Sequence, residues 1–301
     1  MMQATLNHAL DRAEGHWLDG SERPLPFAPI FILGAPRSGS TLLYQVLVDA
    51  FDVGYPTNAH RLLFGSPALV QRIARLRRSA RKEAYTSSFG RTEGLWGPNE
   101  MGEFWYRFFA RRPHLAERED VAPAALRRLR GSVRAFTEAC GKPVVFKNLY
   151  CSLRIEPLAI ALPEALFIVC RRSIVDIAHS LLEARKQLHG DYTTWFSLEP
   201  PGIEELRTHP PEVQVVEQAR RVYTYIDGKR ESIGAQRFFD VEYEHLCADP
   251  ELTLSAIARF LDSRGTVVAR RAPAPPPFHA REAVRIEPNL HRRLVTYASS
   301  P

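Results

Sequence analysis

The chain has 301 residues, 45% of them hydrophobic and 25% charged, enough to bury a substantial core as one large or two small domains. Mean hydropathy is slightly negative, no apolar run approaches the ~20 residues of a membrane span, and the N-terminus has no basic-then-apolar leader, so a cytoplasmic location is expected. The net charge of +6 rests mainly on arginine. The four cysteines, Cys140, Cys151, Cys170 and Cys247, have neither C-x-x-C nor metal-ligand spacing, which argues for a reducing compartment and no metal.

Residues 1–28 are polar and read as a lead-in. "IFIL", Ile30 to Leu33, is a short apolar run of the kind found in buried parallel strands. After a glycine-containing turn, Leu42, Leu43, Val46, Leu47 and Ala50 recur with helical spacing, giving strand, turn, helix. Residues 55–140 are less regular and read as a helical cap over the carboxyl edge of a sheet. Within them, "WGPNEMGEFWYRFF" is an aromatic patch, better explained by core packing than by a ligand pocket. The basic run Arg72 to Lys82 has no interleaved aromatics and reads as a solvated helix face, so no nucleic-acid partner is expected.

Regular alternation returns at "KPVVFKN" (142–148), a strand ending in Lys147, followed by a helix and the strand "ALFIVC" (165–170). That strand runs into "RRSIVDIAHSLLEARKQL", where Ile174, Ile177, Ala178, Leu181 and Leu182 share a face and Ser173 with Asp176 forms a capping pair. A helix over 212–232, then a strand, turn and helix in "QRFFDVEYEHLCADPELTLSAIARFLD", complete the pattern. Residues 263–301, with "APAPPP" inside them, read as an extended tail. Strands alternating with helices predict an α/β protein: a three-layer, P-loop-type fold with a mostly parallel sheet, occupying 29–262.

The most informative octet is Gly34-Ala35-Pro36-Arg37-Ser38-Gly39-Ser40-Thr41. It has the G-x-x-x-x-G-K-[ST] spacing of a phosphate-binding loop, but Ser40 stands at the lysine position. Backbone amides and the helix dipole still make a concavity for an anion, to which Arg37 adds charge and Ser38, Ser40 and Thr41 add hydroxyls. The missing lysine weighs against a kinase or NTPase, in which it neutralises the β/γ-phosphates.

"GAPRSGSTLL" resembles the 5′-phosphosulfate loop of sulfotransferases, G-x-P-[RK]-S-G-T-T-L, enzymes that use 3′-phosphoadenosine 5′-phosphosulfate (PAPS) and release 3′,5′-ADP (PAP). By that resemblance Arg37 contacts the phosphosulfate bridge. "FIVCRRSIVDIAHS" is similar to the family's 3′-phosphate motif, R-[DN]-P-x-[DE]-x-x-x-S, with Arg172 and Ser180 at the proper interval, and departs from it at Ser173-Ile174. "VEYEHLCADP" resembles Y-E-D-L-x-x-D-P, which implies Tyr243 near the adenine and Glu244 and Asp249 in turn and cap geometry. Lys147 matches a lysine that follows a central strand and reaches the transferred group. The resemblance implies a hydroxyl or, less readily, an amine acceptor on a small molecule or lipid, and no metal.

Neither of the family's usual base positions is matched, since the region after the first helix offers Asn58 and His60 and Leu149 stands two residues after Lys147. Glu100, in a turn beside Trp96, Phe104 and Trp105, is the first candidate general base and His60 the second. Two other readings stay open at this point, a divergent P-loop kinase and a nucleotide-binding protein without catalysis. The sequence leaves the oligomeric state open.

Overall fold

The computed structural model describes residues 2–17, 23–76, 94–278 and 286–299. In chain order its elements are α1 (Met2–Trp17), β1 (Ile30–Gly34), α2 (Ser40–Ala50), α3 (Asn58–Leu62), α4 (Pro67–Leu76), α5 (Gly102–Trp105) and α6 (Pro123–Cys140). There follow β2 (Val145–Lys147), α7 (Ile155–Ala161), β3 (Leu166–Arg171), α8 (Ile174–His189), α9 (Ile203–Leu206), α10 (Pro211–Ile233), β4 (Phe238–Glu242), α11 (Tyr243–Ala248), α12 (Pro250–Asp262) and α13 (Pro288–Ala298).

The four strands form one sheet in the order β2-β1-β3-β4, every pair parallel. All five residues of β1 are buried, which is why its sequence is a continuous apolar run rather than an alternating one. The period of two still sorts its side chains. Ile30 and Ile32 join Leu43, Val46 and Leu47 of α2 and Leu254, Ile257 and Leu261 of α12 on one face. Phe31 and Leu33 join residues of α6, α7, α8 and α10 on the other.

The aromatic patch belongs to this second core. Trp105 packs on Phe31 (ring centroids 5.8 Å apart) and Phe146 (5.6 Å), and Phe104, Phe108 and Phe109 are buried beside it. Each such ring removes roughly 150–250 Å² from water, so the patch anchors residues 104–109 to the sheet.

Both chain ends differ from expectation. The N-terminal lead-in contains α1, whose Asp11 and Glu14 pair with Arg107 at 2.5 and 2.7 Å. The residues expected as an extended tail include α13, with Leu290 and Leu294 buried against α8 and α10. Eleven residues with only two core-facing leucines are too weak a pattern to stand out in sequence; the helix is held by tertiary packing. Of the basic run 72–82, residues 77–82 lie outside the described residues. No helix among the described residues is long and apolar enough to cross a membrane.

Candidate active site

The connection from β1 leads to β2 on one side and that from β3 leads to β4 on the other, so the crevice between the carboxyl ends of β1 and β3 is the sheet's switch point. Four strand ends deliver the predicted groups to this edge: Lys147 closes β2, the loop 35–39 follows β1, Arg172 follows β3, and Tyr243 follows β4.

The loop is held open by specific contacts. Gly39 caps α2 in the left-handed region, at φ 89°, and a Cβ there would lie 2.0 Å from Tyr243 Cδ2. Arg37 is also left-handed, at φ 67°, which costs a non-glycine residue on the order of 1 kcal/mol. Its carbonyl accepts from Arg172 Nη1 at 3.2 Å, and its own Nε donates to Ser180 Oγ at 2.9 Å. The Arg172 guanidinium stacks 4.5 Å over the Tyr243 ring. Thus Arg37, Gly39, Arg172, Ser180 and Tyr243, spread over more than 200 residues of sequence, form one connected group. Ser180 is bonded to Arg37 rather than to its motif partner Arg172. Ser40 and Thr41 open α2, where the first amides have no partner within the helix.

Lys147 is 2% exposed, donates to Thr41 Oγ1 at 3.3 Å, and forms a short ion pair with Glu100 Oε1. The Glu100 side chain stays 28% exposed while its partner Lys147 is buried. Its backbone carbonyl is fixed by Trp105 Nε1 and Asn148 Nδ2, each at 3.2 Å. Cation, loop hydroxyl and carboxylate therefore meet beside the anion loop.

His60, the second candidate base, is built into the capping box of α3. Its ring is fully buried, edge-on to Phe136 at 5.0 Å, and its Nδ1 accepts from Thr57 N–H at 3.0 Å in the capping box of α3. A ring without exposure has no route to an acceptor. Burial pushes the His60 pKa down to about 4, and burial together with Arg112 and Arg154 takes His114 to about 4 as well. Folded, both rings stay neutral, whereas in the unfolded chain they protonate below about pH 6.5. Their contribution is present above pH 6.5 and is lost as pH falls toward 4. Unfolding at pH 5 is expected to take up about two protons from solvent, one onto each ring, measurable by calorimetry in buffers of different ionisation enthalpy; a stability profile flat between pH 6.5 and 4.5 contradicts their burial.

Two supporting residues were not singled out from the sequence. Ser152 accepts from Gly34 N–H at 3.0 Å and donates to the Gly34 carbonyl at 3.1 Å, clamping the loop's first residue from 118 positions away. Asn148 caps the turn after β2 with its Oδ1, which accepts from Tyr150 N–H at 3.0 Å. Only the strand–turn context after Lys147 could have suggested the latter.

A parallel sheet whose first strand turns through a glycine- and hydroxyl-rich loop into a helix, at the switch point and ringed by Arg37, Lys147 and Arg172, defines a P-loop-type fold. The model of the sulfotransferase family matches residues 29–264, and the chain belongs to that family. Membership implies a sulfonate donor. The chain is 27% identical over 250 residues to omega-hydroxy-beta-dihydromenaquinone-9 sulfotransferase Stf3 of Mycobacterium bovis, and equally to that of Mycobacterium tuberculosis, covering 77% of this chain. It spans 62% of the length of these curated relatives. Its fold is similar to sulfotransferase STF9 from Mycobacterium avium (TM-score 0.59, 17% identity, 97% of this chain and 72% of that one). Sulfotransferase STF1 from Mycobacterium tuberculosis H37Rv is also similar (TM-score 0.53, 16% identity, 96% and 76%).

Proposed function

We propose that this protein is a sulfotransferase that moves a sulfuryl group from PAPS to a hydroxyl of a lipid or small molecule and releases PAP. The observation that carries the proposal is Lys147, whose ammonium joins Thr41 of the anion loop to the carboxylate of Glu100.

The residues present fit an anionic nucleotide donor. Ser38 Oγ and Arg172 Nε are buried without a partner, an expense that a bound anion removes. Arg37, Ser38, the amides of Gly39 to Thr41 and Lys147 would hold the phosphosulfate; Arg172, Ser180 and Tyr243 would hold the 3′-phosphate and adenine. When bound, the donor supplies an activated sulfuryl group. Fixed cations and N–H groups stabilise the charge that develops on the bridging oxygen, and they act without reorganising. Glu100 accepts the proton of the attacking hydroxyl.

The acceptor class draws on the hydroxylated lipid in the names of the Stf3 relatives and on the Glu100 side chain, which is 28% exposed. A cytoplasmic location is part of the proposal, supported by Cys151, Cys170 and Cys247, which are buried free thiols.

The test is a thermal-shift titration with PAP, and with ATP–magnesium, on wild type and Arg172→Ala. PAP at a hundredfold excess over its Kd is expected to stabilise wild type by about 2.7 kcal/mol, and Arg172→Ala to lose that effect. A response to ATP–magnesium alone would favour a divergent kinase. PAP binding without transfer to any alcohol would favour a non-catalytic nucleotide-binding protein.

A further inference from the structure

A cavity of about 470 Å³ lies between the start of α6 and the end of α7. None of its lining comes from the loop 35–39, Lys147, Arg172 or Tyr243, so it is separate from the donor site. Two ties hold its wall. Arg130 Nη1 donates to the Ala161 carbonyl at 3.2 Å and joins α6 to the end of α7. Arg118 N–H donates to Glu156 Oε2 at 3.2 Å and joins the turn Arg118–Asp120 to the start of α7. Arg118, Arg130 and Ala161 all line the cavity, which is therefore kept open by contacts of its own wall.

The floor is apolar. Val121, Leu126 and Ala161 are buried, whereas Ile160 stays 40% exposed. A single exposed isoleucine on a flat surface would mean little. This one shares a concavity with arginines whose charge is not all balanced. Arg130 forms a two-pronged ion pair with Glu164, at 2.9 and 2.7 Å, and is neutralised by it. Arg118 and Arg127 are exposed, and neither guanidinium has a hydrogen-bond or ion-pair partner among the described residues. Glu119 is the one carboxylate among the described residues of the lining. Two uncommitted guanidiniums against one carboxylate leave the lining with one net positive charge.

That combination selects a ligand class. An apolar floor takes hydrocarbon out of water, and arginine stems extend the apolar wall. The guanidinium fork matches two oxygens of a carboxylate or a sulfate. A dianion would exceed the charge on offer, and a neutral alcohol would leave it unused. The volume falls in the range of about 300–1,000 Å³ typical of small-molecule pockets, too small for a folded partner.

We propose that this cavity binds an amphipathic monoanion, an alkyl chain ending in a carboxylate or a sulfate ester. The chain lies on Leu126 and Ile160 and the head between Arg118 and Arg127. The site goes beyond the sulfotransferase reading and does not rest on it.

The experiment is isothermal titration calorimetry with octanoate, octyl sulfate and 1-octanol, each kept below its micellar or solubility limit. It is run on wild type with and without saturating PAP, and on Arg118→Gln, Arg127→Gln and Ile160→Ser. Wild type is expected to bind both anions at one site and 1-octanol at least about tenfold more weakly, the loss of a charge-assisted contact. Each arginine variant is expected to lose about tenfold in anion affinity with 1-octanol unchanged. Ile160→Ser is expected to weaken all three ligands. The tighter of the two anions tells which head group the site takes. Both arginines are exposed, so unchanged melting temperatures in their variants are expected to accompany the loss. Absence of anion binding overturns the proposal, as does 1-octanol binding as tightly as octanoate. Anion affinity unchanged in both arginine variants overturns it too, and displacement by PAP would place the anion in the donor site instead. Wild type that binds octanoate but no PAP keeps this site and removes only the sulfotransferase reading.

Discussion

Glu100→Gln is expected to lower turnover by about 10²–10⁴-fold, the usual cost of removing a general base, while leaving the donor site intact. The substitution keeps size and shape but cannot accept the acceptor's proton. It also removes the charge opposite Lys147, which is 2% exposed and would keep only neutral acceptors, the new amide oxygen and the Thr41 hydroxyl. A buried ammonium that loses its carboxylate destabilises the free protein, by about 1–3 kcal/mol for a pair still open on one side. A donor anion restores an opposite charge at that point. PAP is therefore expected to raise the melting temperature of Glu100→Gln more than that of wild type, even as sulfate transfer from labelled PAPS collapses. Wild-type turnover in the variant would move the base elsewhere; a PAP shift smaller than in wild type would separate Glu100 from Lys147 and the donor.

The second large effect is expected from a methyl group. Gly39→Ala must place its Cβ 2.0 Å from Tyr243 Cδ2 and 2.4 Å from Cε2, at a φ of +89° that side chains rarely adopt. The left-handed backbone costs roughly 1–2 kcal/mol and the overpacking roughly 1–3 more, so a loss of about 2–5 kcal/mol in unfolding free energy is expected by urea denaturation. The ring cannot yield alone, because Arg172 is stacked on it and bonded to the Arg37 carbonyl. PAP affinity is expected to fall at least about 100-fold, the loss of two or more charge-assisted contacts. Gly94→Ala is the control: its φ is +78°, but a Cβ there meets nothing within 4 Å. It is expected to cost only the backbone term and to leave PAP binding unchanged. Equal PAP affinities in the two variants would mean that Tyr243 does not couple the loop to Arg172.

Much of the fold was legible because the signals were local. β1 was expected over Ile30 to Leu33 and forms over Ile30–Gly34, since a strand buried on both faces shows as an unbroken apolar run. Ser173 and Asp249 were expected as helix caps and accept from Asp176 N–H (3.5 Å) and Leu252 N–H (2.8 Å). Caps are decided within four residues, so they survive any tertiary context. α13 and α1 were missed for the opposite reason: their faces carry few apolar residues, and partners such as Arg107 for α1 and Glu212 for Arg293 of α13 lie 80 or more positions away. His60, named second as a base, closes the capping box of α3 inside the core, a placement its neighbours Ala59 and Arg61 do not signal.

By itself the sequence determined the α/β class, the anion loop after β1 and the spacing of the Arg172 and Lys147 segments, because glycine, proline and hydroxyl residues at fixed offsets constrain a short stretch of backbone directly. Only the tertiary structure decided which carboxylate stands with Lys147, that Ser180 serves Arg37 and that Tyr243 closes on Gly39. Those pairings depend on how the strand order β2-β1-β3-β4 brings distant carboxyl ends to one edge, a non-local property that no window of sequence contains.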